Sequence, residues 1–145
     1  MNIWIDTEFT TFQGDLISMA MIDENNEYFY EVLSFAEADC HPWVVENVLP
    51  ILMKEPLPLE AFEHRFWNYI KKYDNIHIIA DWPDDIKYFC EVLHTHPGEM
   101  MNVPSTFTME VCRRLPEHQS AIPHNALEDA IAIKEAWLRK QAANV

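Results

Sequence analysis

Only two glycines, Gly14 and Gly98, occur in the 145 residues. A loop that cradles phosphates by close backbone approach needs several glycines at fixed spacing, so Walker-type and dinucleotide-binding loops are excluded. Three cysteines, Cys40, Cys90 and Cys112, are odd in number and form no C-x-x-C pair. Such usage fits free thiols in a reducing compartment, and the seven histidines do not join them at the spacing of a structural zinc site. No apolar run approaches the roughly 20 residues that span a bilayer. Met1-Asn2-Ile3-Trp4-Ile5 runs straight into Asp6, leaving no room for the apolar region of a signal peptide. The expectation is a soluble, cytoplasmic protein with no membrane partner. Basic residues are also scarce: 10 Lys and Arg stand against 24 Asp and Glu, a net charge of −14. Neutralising phosphates supplies much of the affinity of most nucleic-acid binders, so a long non-specific binding track is disfavoured. A short substrate end, gripped through metal ions and stacking, is compatible with that balance.

What is present is a core-forming chain. Hydrophobic residues make up 49%, with eight Phe, five Trp and five Tyr, so disorder is not expected and residues 1–145 are read as one domain. Residues 2–8, 16–22 (LISMAMI) and 27–33 (EYFYEVL) read as three strands, and their short connections make them an antiparallel meander. Pro42 opens a helix running to about Met53 and interrupted at Pro50. Pro56-Leu57-Pro58 is extended and acts as a stop. Leu59 to Tyr73 is an amphipathic helix with Leu59, Phe62, Phe66, Trp67 and Ile70 on one face. A buried strand over Asn75–Ala80, a helix over Ile86–Leu93, a weaker strand over Ser105–Val111 and a helix over about 126–142 complete the chain. The order βββ-α-β-α-β-α resembles the α/β architecture of ribonuclease H-like folds. That is a mixed five-stranded sheet, three antiparallel strands then helix-crossed strands, with helices on both faces.

Three acidic signatures carry the chemistry. In Ile3-Trp4-Ile5-Asp6-Thr7-Glu8-Phe9, Asp6 and Glu8 are i and i+2 on a strand and project from one face, while Thr7 points the other way. In His124-Asn125-Ala126-Leu127-Glu128-Asp129-Ala130, Asn125 is a good N-cap and Glu128 completes a capping-box-like arrangement. That places His124 and Asp129 at the positions that meet in a hydrophobic staple, with Asp129 in the first turn where the helix dipole favours its ionised form. Asp81, Asp84 and Asp85 lie at the carboxyl end of the strand Asn75–Ala80, where α/β sheets place their sites. Carboxylates converging from distant segments repel one another unless cations lie between them, so the set points to a divalent-metal site with a histidine base at its rim. Each piece also has a plainer reading: solvated acids at a strand end, an ordinary capped helix, and acids favouring a helix N-terminus.

Together the three pieces resemble the DEDDh 3′-5′ exonuclease superfamily, which includes oligoribonuclease, ribonuclease T and proofreading exonuclease domains. Asp6-Thr7-Glu8 matches its first motif and His124-x4-Asp129 its third. The string His124-Asn125-Ala126-Leu127-x-Asp129-Ala130 is most similar to small bacterial and phage 3′-5′ exoribonuclease-like proteins. Asp85-Ile86-Lys87-Tyr88-Phe89 fits the second motif, although the approach from Ala80 is a residue short and lacks the common Asn and Phe. Asp81 and Asp84 therefore stand as alternatives. The resemblance runs from residue 3 to about 137.

It implies two divalent cations, Mg²⁺ or Mn²⁺, held by Asp6, Glu8, Asp85 and Asp129, with His124 as the catalytic base. The substrate would be the 3′ end of a single-stranded nucleic acid, RNA before DNA, released as nucleoside 5′-monophosphates. Thr7, Phe9 and Thr10 lie beside the acids as candidate substrate contacts, Trp82 is a further aromatic there, and Arg113 and Arg114 are candidate phosphate contacts. Related exonucleases often pair, and a homodimer would add basic surface that one chain lacks. Two other classes are kept open: a catalytically inactive nuclease-fold binding module, and an acidic mimic of nucleic acid, which −14 on a small domain could serve.

Overall fold

The computed structural model describes residues 1–103 and 106–145. Among the described residues the elements run β1 (Asn2–Phe9), β2 (Leu16–Asp23), β3 (Tyr28–Leu33), α1 (Pro42–Asn47), β4 (Pro56–Leu57), α2 (Leu59–Ile70), β5 (Asn75–Ala80), α3 (Pro83–Leu93), β6 (His94–His96), β7 (Glu99–Met100), β8 (Thr106–Val111) and α4 (Ala126–Ala143). Six strands form one mixed sheet in the order β4-β3-β2-β1-β5-β8. The β1–β2 and β2–β3 pairs are antiparallel, and β1–β5, β5–β8 and β3–β4 are parallel. The fold is α/β with four α-helices.

The sheet has one strand more than the five expected. Pro56 and Leu57 pair in parallel with Val32 and Leu33 at the β3 edge, and the Ser34 N–H donates to the Leu57 carbonyl at 2.8 Å. Proline cannot donate to a ladder but tolerates a sheet edge, so the segment that reads as a stop is also a short edge strand. The small β6–β7 hairpin is a second addition; it turns through Gly98, whose φ of +76° suits a residue without a Cβ. The start expected for the last sheet strand, Ser105, lies outside the described residues. The helix expected from Trp43 to Met53 ends at Asn47 and continues as a 3₁₀ turn over Leu49–Ile51, because Pro50 supplies no N–H to the ladder.

Strand alternation divides the interior in two. Ile3, Ile5, Met19, Met21 and Phe29 face Phe62, Phe66 and Ile70 of α2 and Tyr88 and Phe89 of α3. Trp4, Ala20, Ile22, Tyr30 and Val32 face Val44 of α1 and Ala126, Ala130 and Ile133 of α4. Helices thus cover both faces, and β1, between β2 and β5, is buried from either side. Leu59, expected on the buried stripe of α2, is 57% exposed; Tyr69 is buried in that helix alongside Phe62, Phe66 and Ile70. No helix among the described residues is long and apolar enough to cross a membrane.

Phe66 is fully buried, its ring 5.5 Å from Phe89 and 6.0 Å from Phe29 by centroid. Phe66→Ala should destabilise the fold by about 3–5 kcal/mol in urea unfolding. Phe12→Ala, at a ring 78% exposed, should stay within about 0.5 kcal/mol.

Candidate metal centre

β1 delivers the first two acids. Asp6 and Glu8 follow Trp4 on the α4 side of the sheet, and directly across on β2 stand two small residues, Ala20 and Ser18. Small neighbours leave the space above the acids for α4, which approaches closely because it presents Ala126 and Ala130, both fully buried. Asp129, one turn into α4, thereby reaches Glu8. Carboxylate oxygens of Glu8 and Asp129 and a ring nitrogen of His124 lie within 4.8 Å of one another.

The α4 start is built as its sequence suggests, with one difference. Asn125 Oδ1 accepts from the Glu128 N–H at 3.2 Å, and its Nδ2 donates to the Ile51 carbonyl at 2.9 Å. The reciprocal half of a capping box does not form, since the Asn125 N–H donates to the Ile122 carbonyl at 3.1 Å. His124 has a φ of 72°, a left-handed conformation uncommon among residues other than glycine. Its N–H donates to Asp129 Oδ2 at 3.1 Å, and its ring meets Trp43 edge-on at 4.8 Å. One short segment therefore fixes both the imidazole and the carboxylate.

The second acidic group comes from the other side of β1. Asp85, on the first turn of α3 and 2% exposed, accepts at Oδ1 from the Thr7 N–H at 3.0 Å and from the Thr7 hydroxyl at 2.5 Å. Its Oδ2 is sealed from solvent and has no partner among the described residues, and the same holds for Asp6 Oδ2. Oxygens of Asp6, Asp81 and Asp85 lie within 4.8 Å of one another. Asp84 takes a different course, its Oδ2 accepting from Trp82 Nε1 at 2.8 Å. The residues expected as ligands, Asp6, Glu8, Asp85 and Asp129, thus converge with His124 at the carboxyl ends of β1 and β5.

Electrostatics match the crowding. Burial, then repulsion from Asp85, Glu8, Asp129 and Asp81, pushes the Asp6 carboxyl well above the usual range. Burial, then Asp129 and Asp85, raises Glu8 to about 9. Asp85 is raised to about 8, chiefly by burial and against the hydrogen bonds from Thr7. Asp81 and Asp129 are also raised by burial. Buried carboxylate oxygens with no donor facing them, all from hard oxygen ligands, fit Mg²⁺ or Mn²⁺ and do not fit a soft metal.

A cleft of about 240 Å³ joins the two groups and is lined by Asp6, Asp81, His118, Ser120, His124 and Asp129. His118, which receives no role from the sequence, stands on its wall; its Nδ1 lies 2.9 Å from the Pro116 carbonyl. It follows no motif, so only the fold could bring it here. Beside Glu8, a second hollow of about 390 Å³ is lined by Phe9, Thr11, Phe12, His41, Trp43 and Val44. A roomier hollow of about 510 Å³, between Leu16, Glu63 and Tyr88 on the α2–α3 side, contains none of the clustered acids. Chemistry and not volume locates the site.

Of the candidate substrate contacts, Phe9 is partly exposed, stacked on Tyr88 at 5.2 Å and set in the aromatic hollow. Thr7 and Thr10 are buried and otherwise engaged. Thr7 orients Asp85, and Thr10 organises the loop after β1: its Oγ1 accepts from the Asp15 N–H at 3.0 Å and its carbonyl from the His41 N–H at 2.8 Å. A Cβ on Gly14 would run into the Thr10 hydroxyl and the Thr11 backbone, so this loop closes only with glycine there. Arg113 lies at the rim, donating to the Asp81 carbonyl at 2.5 Å with its guanidinium 4.4 Å from the Trp82 ring centroid.

The raised carboxyl pKa values set a sign for stability against pH. Without metal, the folded chain keeps protons on Asp6, Glu8 and Asp85 that the unfolded chain releases, so stability falls as pH rises from about 5 to about 9. Thermal melts in EDTA should show a lower Tm at the alkaline end, and Mn²⁺ should raise Tm more at pH 8 than at pH 5.5, where protons compete for the same oxygens. A metal-free Tm that rises across this window would contradict the assignment. No family model matches the chain, and neither does any curated protein.

Proposed function

We propose that this chain is a two-metal 3′-5′ exonuclease of the DEDDh type on a ribonuclease H-like fold, releasing nucleoside 5′-monophosphates from the 3′ end of single-stranded nucleic acid. The observation that carries the reading is the pair of sealed, partnerless oxygens on Asp6 and Asp85, with Glu8, His124 and Asp129 gathered as a second group and a cleft lined by Asp6, His124 and Asp129 between them. RNA is favoured over DNA by the resemblance of the His124–Ala130 string to exoribonuclease-like proteins. The parallel and antiparallel pairing of β1 with its neighbours and the helices on both faces support the fold assignment; β4 is then an edge addition to the five-stranded plan.

Asp6, Glu8, Asp85 and Asp129 would hold the cations. When bound, two such cations lower the pKa of a water toward neutrality and stabilise charge on the departing 3′-oxygen. His124 accepts the proton of the attacking water as the water adds in line to the terminal phosphorus. The Glu8 and Asp129 carboxylates beside the ring stabilise the imidazolium that results. Asp129 also keeps the His124 backbone in place through the N–H it accepts. Thr7 acts as a positioning residue, holding one Asp85 oxygen and leaving the other without a donor. Phe9, Phe12 and Trp43 present ring surface in the hollow next to Glu8, a place where the terminal base can stack. Arg113, beside Asp81, is a cation that could meet a phosphate.

End-labelled RNA and DNA oligonucleotides incubated with the protein should release mononucleotides with Mn²⁺ or Mg²⁺ and not with EDTA. His124→Ala should lower the rate by about 10²–10⁴-fold while leaving Mn²⁺ binding in place. An acidic mimic, the reading that a net charge of −14 favours, instead predicts salt-sensitive binding of a basic protein that ignores EDTA. Release of no product under any metal, together with that binding, would replace the exonuclease reading.

A further inference from the structure

The four-carboxylate resemblance leaves Asp81 without a task, yet the fold gives it a definite position. Asp81 follows Ala80 at the carboxyl end of β5, and its carboxylate lies within 4.8 Å of those of Asp6 and Asp85. Both neighbours turn an unpartnered Oδ2 into sealed space, and Asp85 is 2% exposed. An isolated surface acid would not be set against two oxygens that already lack donors, because each like charge so placed is unfavourable. Glu8, Asp129 and His124 form a second, separate group. The five acids are therefore arranged as a trio and a pair rather than one ring.

We propose that Asp81 is a fifth carboxylate ligand, completing with Asp6 and Asp85 a seat for one divalent cation distinct from the one that Glu8 and Asp129 would hold beside the His124 base. This rests on the metal-dependent reading above. Three carboxylates over-compensate one divalent charge, and the surplus is met from outside the seat. The Arg113 guanidinium donates to the Asp81 carbonyl and is braced on Trp82, and His118 stands on the same cleft wall. Such an all-oxygen, all-anionic seat suits a hard cation that sheds part of its water shell.

The test counts and weighs bound Mn²⁺ on the full chain by electron paramagnetic resonance and calorimetric titration, with Asp81→Asn beside wild type. Asp84→Asn serves as control, since that carboxylate is held by Trp82 Nε1. Wild type should bind two Mn²⁺. Asp81→Asn should weaken one site by at least about tenfold, the loss typical even of a group one step removed from a metal, and leave the other unchanged. Asp84→Asn should keep both. Metal-free Asp81→Asn should also melt no lower than wild type, because the carboxylate it removes gains nothing from its two acidic neighbours. Two sites of wild-type affinity in Asp81→Asn overturn the inference, and so does weakened binding with a lowered metal-free Tm, which marks a structural role. Wild type that binds no Mn²⁺ removes the metal-dependent reading itself, so the two failures are distinct.

Discussion

Asp6 sits where β1 leaves the core, close enough to Asp85, Glu8, Asp129 and Asp81 for all four to repel it. Like charges in poorly hydrated space push apart, and a loose scaffold would relieve that push by letting the segments separate. Here the segments are a central strand hydrogen-bonded on both edges and two helices packed on opposite faces. The aromatic and aliphatic interior on each side supplies the favourable free energy that keeps the acids together. An acidic cleft of this kind is stable only because the rest of the domain is so thoroughly apolar.

Each helix is tied down near the acids and again away from them. α3 is fastened through Asp85 to Thr7, and Tyr88 donates its hydroxyl to the Gly14 carbonyl. α4 is fastened by the Asn125 cap, whose amide also donates to the Ile51 carbonyl. At the far end of β1, Lys134 is buried and donates to the Asp23 carbonyl at 2.6 Å and to Asn26 Oδ1 at 2.7 Å, with Trp4 beneath its ammonium at 5.3 Å. Asp23 in turn accepts from Tyr73 at 2.7 Å and from the N–H groups of Asn25 and Glu27. The polar hardware opposite the cleft thus locks the meander and α4 to each other. Lys71 and Lys72 belong to that end, Lys72 pairing with Glu27 at 2.5 Å, so they bring no positive charge to the acids.

Much of this was legible in the residues, and what was not has physical causes. Strand and helix types follow from pattern and punctuation, because α2 is strongly amphipathic and β1 and β2 are apolar runs closed by polar turns. The pairing of His124 with Asp129 followed from cap geometry, which is local. The β4 edge strand is not legible because two residues carry no period, and Leu59 departs from the buried stripe because an apolar residue in a first turn has no helix before it to share its face. Nearness in sequence to the acids suggests that Thr7 and Thr10 are open to substrate, but both are buried. Their burial depends on α3 and the Asp15 loop, contacts 78 and 5 residues away. His118 needs the cleft itself, since it stands in no spaced motif, whereas the place of Asp81 at the end of β5 is legible in sequence and its neighbours are not.

Thr7 separates Asp6 from Glu8 and faces the other layer, where it meets Asp85. A slip of β1 by a single residue against Ala20 and Ser18 would turn both acids toward Phe62, Phe66 and Phe89 and present Thr7 to α4. The wrong alignment would bury two charges in a dry aromatic layer, with no oxygen-rich pocket to receive them. The same three residues that make the chain chemically interesting therefore penalise its nearest misfolded competitor, and fidelity of assembly comes with the cleft rather than in addition to it.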